Sequence, residues 1–144
     1  MIWQRVRDER GSAAVEAVVG VPAFVLFVGL IIFGGRTATT HSAVESAAAD
    51  AARSASIART AAAAKSDAKT AAESSLANQD IRCLSVTVAV DVSDFAKSVG
   101  QAGSVSATVE CLLDLGDLSV PGVPGSHLIK ATSTSPLDTF RERG

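Results

Sequence analysis

An uninterrupted run of nineteen uncharged residues, Ala17–Gly35, constrains this 144-residue chain more than any other feature. A helix of about 20 apolar residues spans the hydrocarbon core of a bilayer, which is about 30 Å thick. The run therefore predicts a transmembrane helix over residues 12–36. Glu16 lies just inside the start of this helix, where an ionisable side chain is costly, by roughly 2.5–3.5 kcal/mol at mid-bilayer and less near the surface. We therefore expect Glu16 to need a partner.

The basic residues around the span predict its orientation. Arg5, Arg7 and Arg10 precede it, whereas Arg36 alone follows closely. Because Lys and Arg collect on the cytoplasmic side, we expect a single-pass protein of the cell membrane with a cytoplasmic N-terminus and an extracytoplasmic domain. A cleavable secretory signal is the alternative, but its apolar region has only about 7–15 residues.

The part that follows the span, residues 37–144, is expected to be one exported domain. It holds nine Lys or Arg and twelve Asp or Glu, a net charge of −3, and no basic face that would bind nucleic acid. The whole chain has one Trp, five Phe and no Tyr. Since aromatic side chains supply much of the buried area in small domains, the composition predicts a thin core.

Two cysteines, Cys83 and Cys111, fall in this exported part. An extracytoplasmic location is oxidising, so the pair predicts a disulfide, with two buried thiols as the alternative. In the chain-entropy model such a bridge stabilises the domain by roughly 3–4 kcal/mol.

An alanine-rich stretch over residues 37–78 predicts a long helix. Sixteen of the thirty-six residues from Ser42 to Ala77 are Ala, the best helix former, and none is Gly or Pro. The helix either starts afresh at His41 or Ser42, or continues from about Ser12 to Leu76 as a rod on the order of 100 Å long. One face of this stretch carries small apolar residues at a 3.5-residue spacing, the apolar seam: Val44, Ala48, Ala51, Ala55, Ala58 and Ala62. The seam either stays solvated or packs closely against another alanine surface, including one on a partner protein.

Residues 81–144 predict a small antiparallel sheet of about three strands, so the expected fold class is α+β. Apolar residues alternate from Leu84 to Val92 and again from Val105 to Leu113, and a third strand is expected at Leu128–Ser133. A helical turn is expected at Asp94–Val99. Cys83 has the polar parity of the first strand, which requires either a bulge or, as we favour, a strand that begins after Cys83.

No catalytic or metal-binding constellation stands out. His41 and Glu45 share a helix face, but a pair without a third ligand is weak grounds for a metal site. No glycine-rich phosphate loop follows a strand, and no nucleophile is paired with a base. We therefore expect no enzyme activity, no catalytic residue, no metal and no cofactor.

Residues 11–36, GSAAVEAVVGVPAFVLFVGLIIFGGR, resemble the N-terminal signature of the TadE-like family, pseudopilins of the tight-adherence (Tad/Flp) pilus assembly system. The shared pattern is a Gly, four small residues, a Glu, an apolar span with a Pro, and Gly-Arg near its exit. Ala17 stands where many members have a large apolar residue. The stretches VDVSDFAKSVGQAGSVSATVECLLDLGDLSVPGVPGS and SPLDTFRERG resemble actinobacterial members.

The resemblance implies that a prepilin peptidase cuts between Gly11 and Ser12. The cut would remove the basic leader, residues 1–11, and place Glu16 fifth in the mature chain, in contact with another subunit. The resemblance also implies a pilin-like fold, and the implied function is that of a minor pseudopilin in pilus assembly or a related secretion system. Its expected partners are other pseudopilins or pilins, membrane assembly-platform proteins and the lipid bilayer. The alternative is an uncleaved, single-pass membrane-anchored binding module, which would keep Met1.

Overall fold

The structure, a computed structural model, describes residues 9–118 and 121–142, with side chains from residue 14 onward. Its elements are two helices, α1 (Glu9–Ile57) and α2 (Ala61–Asn78), and three strands, β1 (Cys83–Asp91), β2 (Gly103–Asp114) and β3 (Ser126–Leu137). Short 3-10 helices lie at Ser93–Ala96 and Gly116–Leu118. The strands form one antiparallel sheet in the order β1-β2-β3. The predicted α+β class is confirmed. Residues 1–8 of the predicted leader lie outside the described residues.

The alanine-rich stretch forms two helices rather than one. α1 runs without interruption through Pro22 and on to Ile57, so neither a fresh start at His41 or Ser42 nor a rod to Leu76 is correct. The chain turns at Thr60, which has an extended backbone and is the N-cap of α2. Its side-chain oxygen accepts a hydrogen bond from the Ala63 N–H at 3.1 Å. At the other side of the turn, Arg141 donates to the carbonyl of Ile57 at 2.6 Å, which satisfies a free group at the end of α1.

The turn lets the two helices bury each other's alanines. Val44, Ala48, Ala51 and Ala55 of the predicted seam are fully buried, whereas Ala58 is half-buried and Ala62 is exposed. The opposing surface comes from α2 of the same chain: Ala64, Ala68, Ala72 and Leu76. The expectation that the seam packs on another alanine surface is confirmed for these four residues. Their use as a surface for a partner protein is wrong, because these four residues are already buried within the chain, where α2, β2 and β3 contact α1.

The sheet packs its apolar face on this helix pair. α1 contacts β2 and β3, and α2 contacts β1. Alternate residues of β2 are buried against the helices: Val105, Ala107, Val109, Cys111 and Leu113. Their neighbours face the other side, where Thr108 and Thr132 share a hydrogen bond of 2.8 Å across the strands. The core is built mainly from Ala and Val, and Phe95 is the one aromatic residue buried in the part that the structure describes.

The start of β1 departs from the expected alternation. Cys83 belongs to the strand and pairs with Leu113, and the register shifts before Ser85, which pairs with Leu112. The strand therefore begins at Cys83 and contains the irregularity, so the favoured reading, a strand that starts after Cys83, is wrong. As a consequence of the shift Leu84 is 59% exposed, although its apolar character predicted the buried face.

Candidate functional site

The first half of α1 has the exposure of a helix that lies in lipid. Its 18-residue window of highest mean hydropathy, 2.6, has none of its residues buried in the protein. The apolar helix of a soluble core would be mostly buried. The large exposed side chains extend from Val15 to Ile32 and include Phe24, Phe27 and Ile31. α1 thus has the length, composition and exposure of one membrane-spanning helix near the N-terminus.

Glu16 projects from the start of this apolar stretch. Its side chain is exposed and makes no hydrogen bond or ion pair with any residue that the structure describes. Gly20 follows one helical turn later, and a Cβ added there would meet no atom within 4 Å. The helix surface next to the carboxylate is therefore open, and a group from another molecule can approach it.

The predicted cleavage position belongs to the same helix. The backbone of Gly11 and Ser12 lies within α1, while their side chains fall outside the described part of the chain. About 6 Å of helix rise separates Ser12 from Glu16. Cleavage between Gly11 and Ser12 stays a prediction, as does the contact of Glu16 with another subunit.

An ion pair joins the apolar helix to the α+β domain at the predicted exit from the bilayer. Arg36 Nη1 lies 2.8 Å from both Oδ1 and Oδ2 of Asp117, in the 3-10 helix after β2. Both side chains are largely exposed, at 45% and 62%, so the pair contributes about 1 kcal/mol or less. Phe33, one turn before Arg36, already packs against the domain core. The domain therefore begins directly where the apolar stretch ends.

The two cysteines form the predicted disulfide. Cys83 and Cys111 are bonded, with their Cα atoms 5.4 Å apart. Cys111 is fully buried in the central strand, whereas Cys83 is half-buried at the beginning of β1. The bond ties the edge strand to β2 at the register shift, next to the chain segment that arrives from α2. The function of the bond in the fold is to fix this corner.

The titratable groups of the described residues do not converge on one point. No group of three or more His, Cys, Asp or Glu among them is arranged to hold a metal ion. His41 Nδ1 and Glu45 Oε1 are 3.5 Å apart on the exposed side of α1, and they form a pair only. The pKa of Asp91 lies below its ordinary value because its carboxylate accepts the backbone N–H of Ser93, at 3.0 Å. This turn ends β1. The expectation that the chain is not an enzyme stays a prediction.

An exposed apolar helix that continues into an α+β domain is the arrangement of a membrane-anchored protein. A family model described as TadE-like protein matches residues 11–53. Over this segment the chain is similar to TadE-like proteins, and the match agrees with the resemblance predicted from its sequence. The match ends within α1, so α2 and the sheet lie outside it. No curated protein and no solved structure matched the chain.

Sequence reasoning missed two contacts that shape the exported domain. The Arg36–Asp117 pair joins residues 81 positions apart, and the Arg141–Ile57 bond joins residues 84 positions apart. Arg36 was recognisable as the residue that follows Gly34-Gly35 at the exit of the span. Nothing in the sequence singled out Asp117 or Arg141 as partners, because no local periodicity relates either residue to a position more than 80 residues away.

Proposed function

We propose that this chain is a minor pseudopilin-like structural protein that takes part in assembling a Tad-type pilus or a related secretion machine. The proposal rests on one observation, that the family match and the exposed apolar helix occupy the same part of the chain. The TadE-like match, residues 11–53, covers the exposed apolar part of α1 together with its one carboxylate, Glu16. The exported domain supplies a rigid body on this anchor, held by the helix pair and by the Cys83–Cys111 bond.

In this proposal the N-terminus lies in the cytoplasm and residues 37–144 lie outside. Two features support this orientation independently. Basic residues precede the span, and cytoplasmic flanks are enriched in Lys and Arg. The exported domain holds a disulfide, and disulfides persist in oxidising compartments outside the cytoplasm. A prepilin peptidase at the cytoplasmic face would then reach the bond between Gly11 and Ser12.

Glu16 provides the specific contact in this account. An unpaired carboxylate in hydrocarbon is costly, and an amino group that becomes free at Ser12 of a neighbouring subunit offers a positive charge at the same depth. The open helix surface at Gly20 allows that neighbour to come close. The partners are other pseudopilins or pilins and proteins of the membrane assembly platform.

Replacing Glu16 tests this contact. Glu16→Gln keeps the size of the side chain and removes its charge, so we expect loss of pilus assembly in a complementation assay while the protein stays in the membrane fraction. Glu45→Gln is the matched control, since Glu45 is an exposed carboxylate on the same helix beyond the span. Full complementation by Glu16→Gln would show that the carboxylate is hydrated among the lipid headgroups and needs no partner, and the pairing role would be wrong.

A further inference from the structure

A cleft at the far end of α1 brings together three separate parts of the chain. Arg59 and Thr60 come from the turn between α1 and α2, residues 96–99 are the end of the first 3-10 helix and the three residues after it, and residues 140–142 follow β3. The cleft has a volume of about 950 Å³ and opens to solvent. We call it the distal cleft, defined by these three segments.

Hydrogen bonds between the segments hold the distal cleft in shape. Arg141 donates to the Ile57 carbonyl at 2.6 Å, which fixes the segment after β3 against the end of α1. The Gly100 N–H donates to the Thr139 carbonyl at 2.8 Å, which fixes the same segment against the loop before β2. The walls of the cleft are therefore positioned by the fold rather than by a ligand.

The distal cleft is cationic, although the exported domain as a whole is acidic. Its lining has Arg59, Lys97 and Arg141 against one carboxylate, Glu142. Lys97 already pairs with Asp94, Nζ to Oδ1 at 2.8 Å. Arg59 makes no hydrogen bond or ion pair with any residue that the structure describes. One guanidinium thus faces the cleft with its charge uncompensated.

Apolar side chains lie exposed beside this charge. Phe140 is 85% exposed and Val99 is 53% exposed, and both line the cleft. Full burial of such a side chain is worth roughly 1.5–3 kcal/mol, so an occupant that covers the Phe140 ring gains binding free energy. An unpaired guanidinium next to an uncovered aromatic ring favours a ligand that has both a carboxylate and an apolar group.

The position of the cleft limits what can reach it. α1 rises by about 30 Å between Arg36 at the membrane exit and Ile57 beside the cleft. With α1 placed across the membrane as proposed, this distance exceeds the depth of one lipid headgroup layer, about 5–8 Å, which favours a protein occupant over phospholipid. A partner that approaches from the side away from the membrane meets the cleft first.

We propose that the distal cleft binds an acidic peptide segment of a neighbouring extracytoplasmic protein. A carboxylate of the segment pairs with Arg59, and an apolar side chain packs on Phe140. The proposed orientation of the chain enters only through the compartment in which the partner is met. The cleft is a contact surface separate from Glu16, which lies at the opposite end of α1.

Photo-crosslinking in the native membrane tests this surface in the full-length chain. Benzoylphenylalanine in place of Phe140 reports the occupant of the cleft, and the same group in place of Leu128, which is exposed on the sheet face away from the helices, is the control. Digestion and mass spectrometry identify the attached peptide. We expect adducts at position 140 that map to a segment with two or more Asp or Glu close to the attachment point.

Charge reversal then separates specific binding from simple exposure. Arg59→Glu should lower the adduct yield at position 140 by about fivefold or more, because it replaces attraction for a carboxylate with repulsion. Arg53→Glu, an equal change at an exposed Arg of α1 outside the cleft, should leave the yield unchanged. Adducts to lipid, to a second copy of this chain or to a segment without acidic residues would overturn the proposal. The absence of adducts, or an adduct yield that Arg59→Glu leaves unchanged, would overturn it as well. A chain that keeps Met1 but shows the charge-dependent adduct would contradict the pseudopilin function alone.

Discussion

Cys111 shows how one residue supports this fold. It is fully buried in the middle strand, where it belongs to the apolar face, and its bond to Cys83 holds the irregular start of β1. The disulfide was predictable from the cysteine pair and the expected outside topology. The register shift was one of two alternatives that the parity of Cys83 left open. The sequence did not favour it, because the shift depends on which residues of β2 lie opposite Ser85 and Cys83, a long-range pairing that the local alternation of Leu84 and Val86 does not contain.

Removal of the disulfide should cost a large part of the stability. The Cys83→Ala/Cys111→Ala double variant should lower the free energy of unfolding by about 3–4 kcal/mol, as the chain-entropy model gives for a loop of this size. Alanine is chosen because a hydroxyl at the buried position 111 would lack a partner. Urea unfolding of the full-length protein in detergent, compared with the parent before and after reduction, measures the loss. Equal unfolding free energies with and without the bond would contradict the account.

At the scale of the elements, the pair of helices α1 and α2 supplies the buried apolar surface that a composition poor in aromatic residues lacks. Alanines of α1 and α2 are small enough for the two helices to approach closely, and the sheet then covers both. The periodicity of β2 predicted its buried face correctly, and the periodicity of the seam did so for Val44, Ala48, Ala51 and Ala55 but not for Ala58 and Ala62. The turn at residues 58–60 escaped prediction because no Gly or Pro marks it, and its signals are a Thr60 cap and a bond from Arg141, distant in sequence.

The buried seam makes a sharp prediction for α1. Ala51→Lys should destabilise the exported domain by about 2 kcal/mol or more, because the side chain would force an ammonium group and four methylenes against α2. Ala62→Lys is the matched control. Its site on α2 is exposed, and the change should stay within about 0.5 kcal/mol. Thermal unfolding followed by circular dichroism compares the two. Equal melting temperatures would mean that the seam is solvated in the protein.

At the scale of the whole molecule, α1 joins two ends that have different chemistry. One end carries Glu16 in an exposed apolar helix, and the other presents the distal cleft about 30 Å beyond the membrane exit. Between them the Arg36–Asp117 pair and Phe33 fix the domain to the anchor. The sequence predicted the anchor, the domain and the sheet, because each depends on local periodicity. It did not predict the cleft, since residues 59, 97 and 141 are brought together only by the fold.

The identity of the first residue in the mature protein tests the central claim most directly. Intact-mass measurement and N-terminal sequencing of the protein purified from its native membrane are expected to find Ser12 as the first residue, and Gly11→Leu should block this processing. Gly34→Leu is the control, since Gly34 lies in the same helix with open space around it. A native mass that retains Met1–Gly11 would contradict the pseudopilin account and favour an uncleaved, membrane-anchored binding module.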